Sequence, residues 1–219
     1  MSLTPQQLNE DEWDGWKADD NILEHDRRFT LLAERVAELK PRRVLDIGCG
    51  SGTLAKHIRR LLPDVEIHGV DFSANALKRG KHLTQTYCVD LEHDPIPLEE
   101  ASFDLIVCSE VLEHLFHPMH VMQEIYRLLS REGSGIVTVP NFSFWRFRLQ
   151  SLMGKVPNVI AHPGHLQAFN ADALTQMIGT FPLRIAPLYG IHQRFRFVEH
   201  IWPRLTCDTL VCEFRKALV

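Results

Sequence analysis

No stretch of the 219-residue chain approaches the roughly 20 consecutive apolar residues that a membrane span requires. A secretory leader is not expected either, because residues 1–20 are acidic and carry Trp13 and Trp16 where a leader would be basic and then apolar. The cytoplasm is therefore the expected compartment, with no membrane partner. Surplus positive charge is lacking too. With 24 Lys and Arg against 28 Asp and Glu, the formal net charge is −4, and no global field exists to gather nucleic acid or anionic lipid. The five cysteines, Cys49, Cys88, Cys108, Cys207 and Cys212, are odd in number and form no C-x-x-C pair, which argues against a disulfide framework or a zinc ribbon. They are expected to be reduced, buried packing residues, with Cys49 alone near a ligand. Internal repeats and low-complexity tracts are absent, and 45% hydrophobic with 24% charged residues is the balance of one globular domain over 1–219.

The informative stretch is 43–52, RVLDIGCGSG. Val44, Leu45 and Ile47 form a short apolar run between the breaker Pro41 and a group of glycines, as a buried parallel strand does. Gly48, Gly50 and Gly52 follow as G-x-G-x-G, and a helical pattern over 53–62 opens behind them. Strand, tight turn and helix N-terminus leave backbone N–H groups facing a cavity, with Cys49 in the turn. A dinucleotide site would place the third glycine one residue later, and Asp46 would repel a pyrophosphate. The same carboxylate suits a cationic amino-acid group.

The next strand, 65–70, ends at Asp71. Ligands lie beyond the carboxyl ends of parallel strands, so Asp71 is expected in the same crevice, where it can accept both hydroxyls of a ribose. Phe72 offers a face to adenine, and Ser73 an N-cap to a helix over 74–81. A third strand over 86–89 leads into Asp90 and Leu91, and a fourth over 103–108, FDLIVC, leads into Ser109.

Acids at three successive strand ends, Asp46, Asp71 and Asp90, around a G-x-G-x-G turn resemble the class I S-adenosylmethionine (SAM) methyltransferases. The resemblance implies an α/β, doubly wound Rossmann-like fold, with a mostly parallel seven-stranded sheet and an antiparallel last strand. Strand five is expected over 135–139 and the last two over 184–191 and 209–216. The implied cofactor is SAM, with S-adenosylhomocysteine (SAH) as product. Asp46, Gly48, Cys49, Gly50 and Gly52 would hold its methionine half, Asp71 and Phe72 the adenosine, and Asp90 and Leu91 the adenine. Ser109 would border it at the end of strand four.

After Ser109 the chain reads E-V-L-E-H. A helical turn starting there would set Glu110, Glu113 and His114 on one face, at i, i+3 and i+4, beside the methyl donor. Three readings stand. The glutamates cap a helix or hold structure while His114 lines the pocket; or His114 is a general base; or the group binds a divalent metal. For the last, metal-dependent O-methyltransferases of the small-RNA 3′-end and ubiquinone-biosynthesis types carry a similar E-x-x-E-H with a later histidine, here His165 or His162. A metal would orient and acidify a substrate hydroxyl.

Residues 141–182 form an insertion expected to define the substrate. Phe142, Phe144, Trp145, Arg146, Phe147 and Arg148 mix aromatics with too few cations for the several phosphate contacts of nucleic-acid binding. The run PNF-x-x-W-R-x-R-L-Q, with the tail Ile201-Trp202-Pro203-x-Leu205, is similar to the MetW family of methionine biosynthesis. That likeness implies a SAM-binding partner of a homoserine acyltransferase. The N-terminal arm and helix, 1–40, would either pin Trp13 and Trp16 to the domain or close them over the cofactor. His192, Arg194, Arg196 and His200 read as a solvated face or an anion-friendly rim. The leading expectation is methyl transfer from SAM to a small-molecule acceptor; the acyltransferase partner is the alternative, and a dehydrogenase is disfavoured by the glycine spacing.

Overall fold

The computed structural model describes residues 26–193, 199 and 202–217. Trp13, Trp16, Arg194, Arg196, His200 and Ile201 lie outside them. Helix α1 (Arg27–Leu39) is N-capped by the Asp26 side chain and ends where Lys40 turns left-handed before Pro41. Its Leu32, Ala33 and Val36 are buried at one-face spacing. Strand β1 (Arg43–Ile47) follows and is the centre of the parallel half of the sheet. It pairs with β2 (Glu66–Asp71) on one side and β4 (Phe103–Ser109) on the other. Strand β3 (Gln85–Cys88) extends the sheet beyond β2, and β5 (Leu129–Pro140) beyond β4, all parallel. Strand β8 (Thr209–Lys216) runs antiparallel to β5.

Helices cover both faces. On one, α1 and α2 (Thr53–Leu61) bury Leu32, Val36, Leu54 and Ile58 against Val44, Ile67, Leu105 and Val107. On the other, α4 (Pro118–Leu128) and α7 (Ala171–Ile178) bury Val121, Ile125, Leu174 and Ile178 against Leu45, Ile106, Cys108 and Val137. Neighbouring strand residues such as Val44 and Leu45 thus feed opposite layers. Among the described residues four short helices complete the set: α3 (Ala74–Leu77), α5 (Trp145–Leu152), α6 (Asn158–Ala161) and α8 (Pro203–Thr206). With β6 (Leu183–Ile185) at the edge, the strand order β3-β2-β1-β4-β5-β8-β6 reverses direction between β1 and β4, and a doubly wound sheet opens its ligand crevice at that point.

Among the described residues the sheet has eight strands rather than seven. The strand expected over 184–191 is broken into β6 (Leu183–Ile185) and β7 (Tyr189–Ile191), both antiparallel to β8. From Ile185 to Tyr189 the chain advances four residues while β8 advances three, from Phe214 to Val211. Ala186 still donates to Glu213 O, but Pro187 behind it has no N–H to give, so a bulge forms. Strand β5 begins at Leu129, earlier than expected, because the register against β4 jumps from Leu129 to Ser134 and loops out 130–133. The helix expected over 74–81 stops at Leu77, where turn bonds from Arg79 and Gly80 close the chain on itself. Four of the five free cysteines are buried, whereas Cys88 is exposed.

Candidate active site

The glycine turn is held by backbone donors and one carboxylate. Gly48 has φ 74°, and a Cβ there would stand 2.2 Å from Val111 Cγ2, so the segment after β4 packs directly onto the turn. Gly48 and Cys49 donate to Val70 O, and Gly50 donates to Asp71 Oδ2 at 2.8 Å. The other Asp71 oxygen accepts from Ser73 N–H at 2.9 Å. Asp71, expected to face a ribose, is therefore buried and braces the turn. Burial raises its pKa, and the N–H groups of Ser73, Gly50 and Phe72 oppose the rise. Asp46 is as deeply buried, but its Oδ2 has no hydrogen-bond partner among the described residues. Burial, with the Asp71 charge adding, pushes its pKa up to about 8. Burial likewise raises the Cys49 thiol, which leaves it a packing group rather than a nucleophile.

Farther along, Phe72 is half-buried beside the turn. Asp90 accepts from Glu92 N–H at 2.9 Å and pairs with His93 Nδ1 at 3.1 Å, which makes it the cap of a turn. Leu91 is buried in the core. Ser109 Oγ lies 2.9 Å from Thr138 Oγ1.

Glu110, Glu113 and His114 do not share a helical face. Glu110 has φ 55°, and only a 3-10 turn over Leu112–His114 follows. The cause is the sheet: Glu110 N–H still donates to Thr138 O, which extends the strand before the chain can coil. The two carboxylates diverge. Glu110 pairs with Arg28, Nη1 to Oε2 2.5 Å, and accepts from the Thr138 hydroxyl at 3.1 Å. Glu113 turns toward His114 and His165. It is 1% exposed, and neither oxygen has a hydrogen-bond partner among the described residues. Burial pushes its pKa well above the carboxylate range, and the nearby Glu110 charge adds to the rise.

The imidazoles are oriented by backbone carbonyls. His114 Nδ1 is 2.8 Å from Gly164 O and His165 Nδ1 is 2.7 Å from Val159 O. A carbonyl only accepts, so each Nδ1 carries a proton, and a neutral imidazole held this way has its lone pair on Nε2. Burial lowers the His114 pKa to about 4. One ligand atom each from Glu113, His114 and His165 lie within 4.8 Å of one another. His162 instead accepts from Gly164 N–H through Nδ1 and stacks near His165, ring centroids 4.4 Å apart. The Glu113 carbonyl accepts from Leu166 and Gln167 N–H, stapling the histidine loop to the 3-10 turn. Arg28 was not legible as a site residue, because only the folded helix carries it to Glu110.

Residues 45–134 match the family of methyltransferase domains. Over that segment the chain is similar to methyltransferase domains, and its fold is that of solved SAM-dependent methyltransferases. A ubiquinone biosynthesis O-methyltransferase of Paracidovorax citrulli is 34% identical over 105 residues, 45% of this chain and 43% of that protein. The chain spans about half the length of the curated relatives it matches. Among solved structures, a chain from the Haloferax volcanii complex of the Trm112 methyltransferase activator with a methyltransferase has TM-score 0.70 at 18% identity, covering 94% of this chain and 96% of that one. The plantazolicin methyltransferase BpumL in complex with SAH has TM-score 0.62 at 16% identity, covering 97% and 90%. These two likenesses establish the fold. None of the three supports an acyltransferase partner.

The insertion is anchored at both ends, by Asn141 and by the buried face of α7, while its middle leaves α5 uncovered. Asn141 is fully buried; its side-chain amide donates to Arg204 O and Cys207 O, and its Oδ1 accepts from Ser143 N–H. Helix α5 beyond it buries no residue, and Trp145, Leu149 and Leu152 are exposed. His192 is buried against the Phe144 ring, not on a solvated face. A depression of about 640 Å³, lined by Lys40, Arg42, Asp104 and Arg184, opens at the opposite end of the sheet and shares no residue with the site. No helix among the described residues is long and apolar enough to cross a membrane.

Proposed function

We propose that the protein transfers the methyl group of SAM to a hydroxyl of a small-molecule acceptor, assisted by a divalent cation. The observation that carries this reading is a pair of buried carboxylates with oxygens that lack hydrogen-bond partners among the described residues, Oδ2 of Asp46 at the glycine turn and both oxygens of Glu113. They flank the contact of Val111 with Gly48. A buried carboxylate without donors is costly in the empty protein and calls for a cationic ligand. Asp46 suits the ammonium of SAM, with the N–H groups of the turn around its methionine half. Asp71 keeps the turn in shape, while Phe72, Asp90 and Leu91 line the adenosine side and Ser109 the methyl end.

Glu113, His114 and His165 fit a divalent cation. One carboxylate oxygen and two imidazole nitrogens make a mixed donor set, and each imidazole donates its Nδ1–H to a carbonyl, as metal-ligating histidines do. Bound there, such an ion polarises an acceptor hydroxyl and eases its deprotonation. His114, held neutral by burial, is available to bind rather than to carry charge. Alignment of acceptor oxygen, methyl carbon and sulfur in a closed site supplies the remaining acceleration, roughly 7–11 kcal/mol at best. The O-methyltransferase relative supports an oxygen acceptor.

The test is transfer of labelled methyl from SAM to a panel of hydroxylated small molecules, with chelator-treated protein and with Mn²⁺, Co²⁺ or Zn²⁺ restored. Ion-dependent labelling of an oxygen, lost in Glu113→Gln and His165→Ala, is the expected result. Full activity in chelator would overturn the role of the ion, and labelling of nitrogen or carbon alone would overturn the acceptor class.

A further inference from the structure

Along the sequence the two glutamates of E-V-L-E-H are equivalent; in the fold they are not. Glu110 is engaged from both sides, by Arg28 at Oε2 and by the Thr138 hydroxyl at Oε1. Arg28 is itself fixed, through Nε and Nη2 to Asp26 Oδ2 at 2.9 and 2.6 Å. The second Asp26 oxygen accepts from Arg28 N–H and from Gln193 Nε2, both at 2.9 Å. The side chains of Arg28 and Glu110 are only 19% and 21% exposed, so the pair is largely out of water. Glu113, three residues on, feels the Arg28 charge but has no hydrogen-bond partner among the described residues. The start of α1 thus holds one carboxylate and leaves the other bare beside His114 and His165.

We infer that Arg28 is a positioning residue that withholds Glu110 from a cation bound by Glu113, His114 and His165, keeping coordination positions open for the acceptor. This rests on the cation reading of the proposed function. Closed structural sites use four protein ligands, whereas catalytic sites commonly keep three and leave a position for water or substrate. With Glu110 free, the same segment would supply a fourth ligand and close the site. A charge-assisted pair that is mostly buried holds more firmly than a surface pair, because removing one partner strands the other charge. The arginine comes from α1, outside the 45–134 segment that defines the domain family. Openness of the site would therefore be set by an element outside that segment.

The experiment is calorimetric titration of the chelator-treated full chain with Co²⁺, together with the visible absorption of the bound ion, whose intensity falls as coordination number rises. Wild type, Arg28→Met, Arg28→Lys and Arg28→Met/Glu110→Gln are compared. Arg28→Met is expected to bind Co²⁺ about 10- to 100-fold tighter with a weaker absorption band, the size of change that altered ligand shells produce. Arg28→Lys and the double variant should stay near wild type. Wild-type binding that Arg28→Met leaves unchanged or weakens, with the fold intact by circular dichroism, would overturn the inference while leaving the cation reading in place. Absence of Co²⁺ binding in every variant would overturn both. Should Arg28→Met fail to fold, Glu110→Gln alone decides: unchanged affinity supports a withheld Glu110, and a loss of affinity identifies it as a ligand.

Discussion

The two walls of the crevice are built from different materials. The proposed cofactor wall, from β1 through the glycine turn to Asp71, is mostly backbone: N–H groups bond to Val70 O and Asp71, and almost nothing there is exposed. The proposed acceptor wall is made of side chains on short turns and loops, with Glu113, His114 and His165 held through backbone bonds to and from the insertion. Beyond them, α5 leaves Trp145, Leu149 and Leu152 uncovered. A backbone wall fixes one ligand shape and tolerates little change, while a side-chain wall can be altered without unfolding the sheet.

That contrast can be broken most forcefully at Gly48. Gly48→Ala adds a methyl 2.2 Å from Val111 Cγ2 at a left-handed position. Denaturant unfolding should show a loss of about 2–4 kcal/mol from overpacking and backbone strain together. An unchanged midpoint would mean that the two walls are not in contact as described.

On the acceptor wall, stability and ion binding should move in opposite directions. Glu113→Gln replaces a buried carboxylate without partners, and at pH 8 it should stabilise the empty protein by about 1–3 kcal/mol. Ion binding should disappear in the same variant. Destabilisation at pH 8 would show that Glu113 has a stabilising partner.

Proton linkage sharpens the comparison next. The folded pKa of Asp46 is raised, so between about 4 and 8 the native state binds more protons than the unfolded one. The contribution of Asp46 to stability is therefore full below pH 4 and falls as pH rises to about 8. His114, lowered to about 4, works oppositely: its contribution is full above its unfolded value near 6.5 and is lost as pH falls toward 4. Asp46→Asn should flatten the decline toward pH 8, and His114→Phe the decline below pH 6.5. A slope unmoved by either change would contradict the burial assigned to that group.

The smallest effect belongs to α5. Leu152→Ser, on an exposed face, should change stability by less than about 0.5 kcal/mol and act, if anywhere, on the KM for the acceptor. A larger loss would mean that the helix is packed against something in solution.

The legible part of the molecule is the part written in local rules. Alternating strand residues, the glycines, the Ser73 cap and Pro118 at the start of α4 all act within a few residues of themselves. The acids at the strand ends were legible as residues but not as roles. Asp71 braces the turn because Gly50, 21 positions away, donates to it. The left-handed Glu110 escaped detection because a strand bond to Thr138 outweighs the helical pattern of E-V-L-E-H. His165 and His162 could not be told apart from A-H-P-G-H-L, since the nitrogen each presents depends on which backbone group it meets in the folded loop.

The most direct test of the account is calorimetric titration of SAH into the chelator-treated protein at pH 7, in two buffers of different ionisation enthalpy. Asp46, with its pKa near 8, is mostly protonated in the empty protein and should ionise against the ligand ammonium. The account predicts binding that releases close to one proton in wild type, with weaker binding and no release in Asp46→Asn. Binding that is absent, or equally strong and free of proton release in both proteins, would contradict it.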